Sequence, residues 1–349
     1  MTDKPSLSFS CPVPDSNSER IEIAHGGGGL LTQRLIDTVF RPAFGQSEND
    51  LTHDGAVLDV GGAKLAFTTD SYVVDPLFFP GGNIGTLAVN GTVNDLAMCG
   101  ARPVALSAAF VIEEAFPMSD LLRIVQSMRT AADAAEVRLV AGDTKVVERG
   151  KGDGLYLTTS GMGQIVVPQP VSPQRVRPGD VIVLSGDVGK HGMAVMAARE
   201  ALGFEPPIVS DCAPLAAPIL RLIDEGIDIH CLRDLTRGGL ATALIEIAHT
   251  ASVTMRIAGS TVPVSAPVRG ACELLGIDPL YVANEGRFVA LVPAQAGQRT
   301  LDLLRGYDDN AAIIGTVEMV DEPGSLTLEM LGGVRALDLL TGEQLPRIC

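Results

Sequence analysis

The chain has no tryptophan, and aromatic residues make up only 4% of its 349 positions. Single-stranded nucleic acid is held largely by stacking bases on aromatic rings, so that ligand class lacks its platform. Positive charge is scarce too: 26 Lys and Arg against 42 Asp and Glu give a net charge of −16. That balance disfavours nucleic acid or an anionic membrane as partner. It leaves nucleotides open, because acidic residues bind them through Mg²⁺. No apolar run approaches the roughly 18 residues that a bilayer crossing needs, and the first 20 residues lack the apolar core of a signal peptide. The six cysteines, Cys11, Cys99, Cys212, Cys231, Cys272 and Cys349, never form a C-x-x-C pair. Neither a zinc site nor a disulfide framework is expected, and the expected location is the cytoplasm, where thiols stay reduced.

What is present is a packed globular composition, 46% hydrophobic and 19% charged. The length exceeds what one core usually serves, so two domains of about 170 residues are expected. Residues 1–20 are polar, rich in Ser and Pro, and read as a flexible extension. A Pro-rich stretch, Val167-Pro168-Gln169-Pro170 to Pro178-Gly179, marks the boundary between domains at 21–168 and 169–340. Residues 341–349 are expected to form a mobile tail.

A helix is expected through Leu31, Leu35, Ile36, Val39 and Phe40, followed by strands at 56–60 and 64–69. Over 85–98, helical spacing places Val89, Val93 and Leu96 on one stripe and Gly91, Asn94 and Asp95 opposite. Strands follow at 104–112, 137–141 and 155–160, with a helix capped by Ser119 between the first two and core positions Leu121, Val125, Met128, Ala132 and Ala135. The second domain opens with a strand at 181–185 and a Gly-rich turn. A helix over 236–249, capped by Thr236, and strands at 288–292, 313–317 and 326–330 come later. Mixed βα units and hairpin-like spacing favour an α+β fold.

Four aspartates, Asp54, Asp70, Asp95 and Asp143, sit at strand ends, loops or a polar helix face. Each alone also fits a cap or turn, but together they are the hard oxygen donors that Mg²⁺ takes beside a polyphosphate. Asp70 and Asp143 each follow an apolar run, where loops present functional groups. His25 and the glycines Gly26–Gly29 can wrap a phosphate or act as a hinge; the Gly-Lys-Ser/Thr ending of a P-loop is missing. Gly186, Gly189 and Gly192 are one residue off a dinucleotide fingerprint, so no such site is assigned. Arg233-Asp234-Leu235-Thr236-Arg237-Gly238-Gly239 enters a helix, and Glu285 lies in a turn-like Asn284-Glu285-Gly286. Lys145 is either a solvated charge or a clamp beside a phosphate. Cys349 is the last residue, and its neighbouring carboxylate raises its thiol pKa, so any reactivity depends on where it docks.

These motifs together resemble one family. Ala24-His25-Gly26-Gly27-Gly28-Gly29, the block from Phe67 to Gly82, Asn90-Gly91-Thr92-Val93-Asn94-Asp95, Gly142-Asp143-Thr144-Lys145, Arg233 to Gly239, Ala283-Asn284-Glu285-Gly286 and the ending Pro346-Arg347-Ile348-Cys349 are similar to those of the HypE hydrogenase maturation proteins. Those are carbamoyl dehydratases in the superfamily of aminoimidazole ribonucleotide synthetase and selenophosphate synthetase. The resemblance implies a two-domain PurM-like architecture, with first-domain sheets pairing into a barrel in a homodimer.

It also implies a reaction. A carbamoyltransferase, HypF, loads a carbamoyl group onto Cys349; ATP then drives its dehydration to a thiocyanate, which passes to iron on a HypC–HypD complex. On this resemblance Asp54, Asp70, Asp95 and Asp234 hold Mg²⁺. ATP is held by the same residues with His25, Gly26, Gly27, Asn94, Asp143 and Thr144, while Cys349, Lys145 and Glu285 carry the chemistry. The tail from Pro346 reaches about 14 Å when extended, so the site has to lie near the end of the second domain or residues from Thr341 must peel away as well. The competing readings are another ATP-using synthetase of the superfamily, and a silent carrier whose thiol is a docking point.

Overall fold

The structure, a computed structural model, describes residues 20–45, 53–319, 324–340, 345 and 347–349. The expectations for residues 1–19, 341–344 and Pro346 lie outside the described residues. Among the described residues no helix is long and apolar enough to cross a membrane.

The N-terminal segment forms a short 3₁₀ turn, then α1 (Leu30–Leu35), a π-helical turn over Ile36–Phe40 and α2 (Arg41–Phe44). The single helix expected here is therefore broken: Leu31 is buried, but Val39 and Phe40 are exposed.

The first domain holds β1 (Ala56–Val60), β2 (Ala63–Tyr72), the small hairpin β3 (Phe78–Phe79) and β4 (Gly82–Asn83), α3 (Ile84–Met98), β5 (Ala101–Glu113), α4 (Met118–Ala134), β6 (Arg138–Val147) and β7 (Leu155–Ile165). Its five-stranded sheet runs β1-β2-β7-β5-β6, with only the β5–β6 pair parallel. Helices α3 and α4 cover one face. Asn83 begins α3, its side chain accepting from the Gly85 and Thr86 amides. Helix α4 starts differently from expectation: Pro117, not Ser119, is the N-cap, and no side chain caps it. Its buried stripe is Ile124, Met128, Ala131 and Ala132, with Val125 exposed. Met128 and Ala132 are common to the expected and the observed stripe, and Asp120 and Arg123 pair along the outer side.

The second domain holds β8 (Asp180–Leu184), α5 (Lys190–Arg199), α6 (Ala216–Asp224), β9 (Cys231–Asp234), α7 (Gly239–Ala251), β10 (Thr254–Ala258), α8 (Ala266–Leu275), β11 (Phe288–Pro293), α9 (Ala294–Arg305), β12 (Ala312–Glu318), β13 (Ser325–Met330) and β14 (Gly333–Leu337). Its seven-stranded sheet runs β14-β13-β10-β12-β8-β11-β9. Helix α7 begins at Gly239 with Gly238 as N-cap in the left-handed region. The Thr236 hydroxyl instead donates to Asp234 Oδ1 at 3.2 Å, so Thr236 is not the expected cap.

One hydrophobic core runs from Ala66 through α3 into Ile219, Phe288 and Ile348, crossing the domain boundary. Helix α3 is the reason. Every residue of it except Thr86 and Asp95 is buried, because its polar face packs on the second domain rather than facing solvent. Asn94 sets that contact: its Oδ1 accepts from Leu215 N at 2.7 Å, and its Nδ2 donates to the carbonyls of Ala213 and Glu285 at 3.2 and 3.3 Å.

Candidate active site

Asp70 and Asp143 both lie inside strands, not in the loops expected for them, and register decides where their side chains go. Directly opposed residues share a face of a sheet. Asp70 pairs with Thr159, whose hydroxyl donates to the Ala88 carbonyl of α3, so Asp70 faces the helices. Asp143 pairs with Ala109, and Lys145 with Val111. That puts both on the uncovered face with the exposed residues Phe67, Met162 and Val111. There Asp143 accepts from Lys145 Nζ at 2.9 Å and from the Thr144 amide at 2.9 Å.

The other acids converge at the domain junction. Asp54 precedes β1, Asp95 ends the polar face of α3, and Asp234 ends β9; ligand oxygens of all three lie within 4.8 Å of one another. Thr68 orders the group, donating to Asp95 Oδ2 at 2.8 Å. Arg233 pairs with Asp54 at 2.5 Å and with Glu246 at 2.7 Å. Burial pushes the Asp54 carboxyl up to about 8, against the pull of Arg233. Burial, then the charges of Asp234, Asp54 and Asp70, raise Asp95 well above the ordinary carboxylate range. Asp234 and Asp70 are raised by burial as well. Asp54 Oδ2 and Asp234 Oδ2 have no hydrogen-bond partner among the described residues. Buried like charges with bare oxygens are unfavourable alone and suit a hard divalent cation, which takes carboxylate oxygens. The donor set therefore fits Mg²⁺.

Glu285, in the turn before β11, lies near this cluster. Burial raises it well above its usual range, and the charges of Asp234, Asp70 and Asp211 add to the effect. Its amide donates to Asp211 Oδ1 at 3.0 Å, while its own Oε1 has no partner among the described residues.

The end of the chain is docked beside these groups. Leu345 and Ile348 are buried. Val73 N donates to the Cys349 carbonyl at 3.0 Å and Asp75 N to that of Arg347 at 3.2 Å, so the tail pairs with the chain just past β2. Arg199 Nη2 donates to the Arg347 carbonyl at 2.7 Å, and Arg347 also pairs with Asp153. Cys349, Ile348, Arg237, Gly238 and the glycines Gly26, Gly27 and Gly29 line one cavity of about 100 Å³. Arg237 ties the glycine run to this wall, donating to the Gly26 carbonyl at 3.0 Å. Gly28 has φ +81°, and a Cβ there would lie 2.9 Å from that of Arg237. Burial alone would lower the Arg237 pKa, but Cys349, then Asp70, Asp95 and Glu285, raise it. His25 caps its own turn, accepting from Glu22 N at 3.1 Å.

The structure thus brings Asp54, Asp95 and Asp234 together, with Asp70 and Glu285 near them and Cys349 in the adjoining cavity with Gly26 and Gly27. Asp143 and Lys145 sit elsewhere, on the open sheet face, and Thr144 between them points to the opposite face of the edge strand β6. Sequence reasoning did not assign Thr68, Arg237 or His191. The last two had signals in the sequence: Arg237 precedes a Gly-Gly pair at a helix start, and His191 stands between Gly189 and Gly192.

Residues 52–165 match the AIR synthase related protein N-terminal domain, and 177–325 match its C-terminal domain. The chain is 47% identical over 338 residues to the carbamoyl dehydratase HypE of Azotobacter vinelandii, covering 96% of this chain and 99% of that one. It belongs to the HypE family. Among solved structures, HypE in complex with ATP superposes with a TM-score of 0.80 at 45% identity, covering 94% of this chain and 99% of that one. HypE in a HypE–HypF complex gives 0.82 at 45% identity, covering 88% and 99%. The fold is accordingly the two-domain AIR synthase type, and HypE membership makes the chain an enzyme of the carbamoyl dehydratase class.

Proposed function

We propose that this chain dehydrates a carbamoyl group carried on Cys349, using ATP, to give the thiocyanate that supplies cyanide ligands for hydrogenase iron. The observation that carries the reading is the docked terminus: Cys349 lines the same cavity as the glycine run and Arg237, beside the aspartate cluster. A diffusible-substrate synthetase has no use for that placement, and a silent carrier has no use for the acids.

The thiocarboxamide oxygen attacks the γ-phosphorus of ATP, and ADP leaves. Phosphate then departs from carbon while the nitrogen loses its protons, leaving C≡N on sulfur. Hydroxide would be a poor leaving group at that carbon; phosphate is a good one. Arg237, held by burial among acids, faces the anionic end of the reaction. Glu285 is a stronger base than an exposed glutamate and takes a nitrogen proton. Asp54, Asp95 and Asp234, with Asp70, would hold Mg²⁺, which screens the phosphates from the carboxylates. His25, Gly26, Gly27 and Asn94 line or brace the nucleotide's side.

Asp143, Thr144 and Lys145 act from a second copy. Phe67, Met162 and Val111 leave an apolar face that a partner sheet would cover, closing the barrel of a homodimer and carrying Lys145 into the partner's site. HypF is the carbamoyl donor, and a HypC–HypD complex the acceptor of the cyano group, in the cytoplasm.

ATP hydrolysis with and without carbamoyl donor, in the parent and in Cys349→Ala, tests this reading. The variant should bind ATP yet show no donor-dependent turnover. Donor-dependent turnover in Cys349→Ala would overturn it.

A further inference from the structure

A chain of hydrogen bonds leads from the docked terminus to a buried amide that the reaction above leaves unused. The Ile348 carbonyl accepts from His191 Nε2 at 3.0 Å, and His191 Nδ1 pairs with Ser210 Oγ at 2.8 Å. Ser210 Oγ accepts from Cys212 N at 3.1 Å, and Cys212 Sγ accepts from Asn90 Nδ2 at 3.5 Å. Asn90 is only 5% exposed, on the polar face of α3. Its Oδ1 has no partner among the described residues, and the same is true of Glu285 Oε1. The two share a neighbourhood: Asn94, one helical turn beyond Asn90, donates to the Glu285 carbonyl. Cys212, bonded to Asn90, also lies close enough to Glu285 for that carboxylate to help burial push its thiol up to about 12.

A buried acceptor is rarely left bare. Two bare acceptors in one buried neighbourhood, joined to the docked terminus through this hydrogen-bond chain, call for a ligand with two donors, and an unsubstituted carboxamide offers two N–H groups.

We propose that Asn90 is a specificity-determining residue that accepts one N–H of the carbamoyl group on Cys349, while Glu285 receives the other. The proposal rests on the dehydration reading above and adds how the substrate is recognised. The Cys212 sulfur occupies the Asn90 amino group, which leaves Oδ1 as the free end. Only an amide with two N–H groups can lose both protons and become a nitrile, so holding both selects the substrate able to finish. The balance is unchanged. The carbonyl oxygen bonds to the γ-phosphorus as its bond to the β–γ bridging oxygen breaks, and the C–O bond breaks as phosphate leaves. One proton goes to Glu285 and the other to the departing phosphate. Asn90 accepts a hydrogen bond and no proton.

Cyanate converts thiols directly to S-carbamoyl groups, and methyl isocyanate gives the N-methyl analogue with a single N–H. Each adduct on Cys349, verified on the tail peptide, is given Mg²⁺ and ATP in a single turnover. Parent protein should remove water from the carbamoyl adduct and cleave ATP about tenfold slower with the N-methyl adduct, the scale of one lost hydrogen bond. Asn90→Ala should slow dehydration about tenfold and cleave ATP nearly equally with both adducts. If parent protein leaves the carbamoyl adduct intact, the dehydration reading fails. If it dehydrates normally and Asn90→Ala matches it in rate and discrimination, the Asn90 assignment fails alone. Should the variant not fold, a crystal structure of carbamoylated parent protein decides. The amide nitrogen within hydrogen-bond distance of Asn90 Oδ1 supports the assignment, and a carbamoyl group turned elsewhere overturns it.

Discussion

His191 Nε2 stands 3.0 Å from the carbonyl oxygen of Ile348, and this bond fastens α5 to the end of the chain. The ring is wholly buried, edge-on to Phe79 at 5.3 Å between centroids. Because a carbonyl only accepts, Nε2 carries a hydrogen, and Nδ1 takes the Ser210 hydroxyl in the neutral ring.

Burial lowers the His191 pKa to about 4, with the Ile348 carbonyl pulling the other way. The unfolded chain takes this proton near pH 6.5, while the folded protein resists until about 4. The His191 contribution is thus fully present above pH 6.5 and lost as pH falls, on the order of 3 kcal/mol in all. His53, lowered to about 3 by burial and Arg233, has the same sign. Urea denaturation between pH 7 and 4.5 should show a steeper loss in the parent than in His191→Gln, since His53 is common to both. Equal slopes would contradict the assignment.

Gly91→Ala should destabilise, against the usual trend. In a helix interior, alanine normally gains about 0.5–1 kcal/mol over glycine. Here the new Cβ would collide with the Tyr72 hydroxyl, and Tyr72 is 1% exposed with little room to move. Overpacking costs about 1–3 kcal/mol and should win. Thermal denaturation would show a lowered midpoint.

Much of this site was legible before the fold was known, because its acids sit in motifs whose neighbours also matter. Asp54, Asp95 and Asp234 could be singled out one by one, but their meeting depends on α3 being buried on both faces. Spacing alone showed only that Asn94 and Asp95 point away from the first core. Thr68 was not legible at all: a threonine in a strand looks like any other until its hydroxyl is seen 2.8 Å from Asp95. The helix starts misled for a related reason. Ser119 and Thr236 both have capping side chains, but Pro117 begins one helix earlier, and the left-handed Gly238 begins the other later while Thr236 turns to Asp234. Asp143 was misplaced because the apolar run before it ends at Ala141, whereas its strand continues to Val147.

Asp95→Asn removes one buried like charge while leaving an oxygen for the Thr68 hydroxyl. The metal-free protein should be as stable as the parent or more so, by about 1 kcal/mol. The rise in melting temperature on adding Mg²⁺ and ATP, which reflects binding to the folded state, should disappear. Calorimetry with and without Mg²⁺–ATP separates the two effects, and an undiminished ligand shift would remove Asp95 from the metal set.

Lys145→Ala and Asp95→Asn each break a different half of the proposed dimer site. Each alone should be inactive in dehydration. Mixed and allowed to exchange subunits, they should recover part of the parent activity, because one site of each mixed dimer then has both residues intact. No recovery, with exchange confirmed by native mass spectrometry, would place Lys145 outside the partner's site.

The central claim is that the terminal thiol carries the group that ATP dehydrates. Mass spectrometry of the tail peptide, after incubating S-carbamoylated protein with Mg²⁺ and ATP, tests it most directly. The expected result is loss of one water from the carbamoyl group on Cys349, in step with one ADP and one phosphate formed. A cyano group on any other cysteine, or ADP formed while the carbamoyl group on Cys349 stays intact, would contradict it.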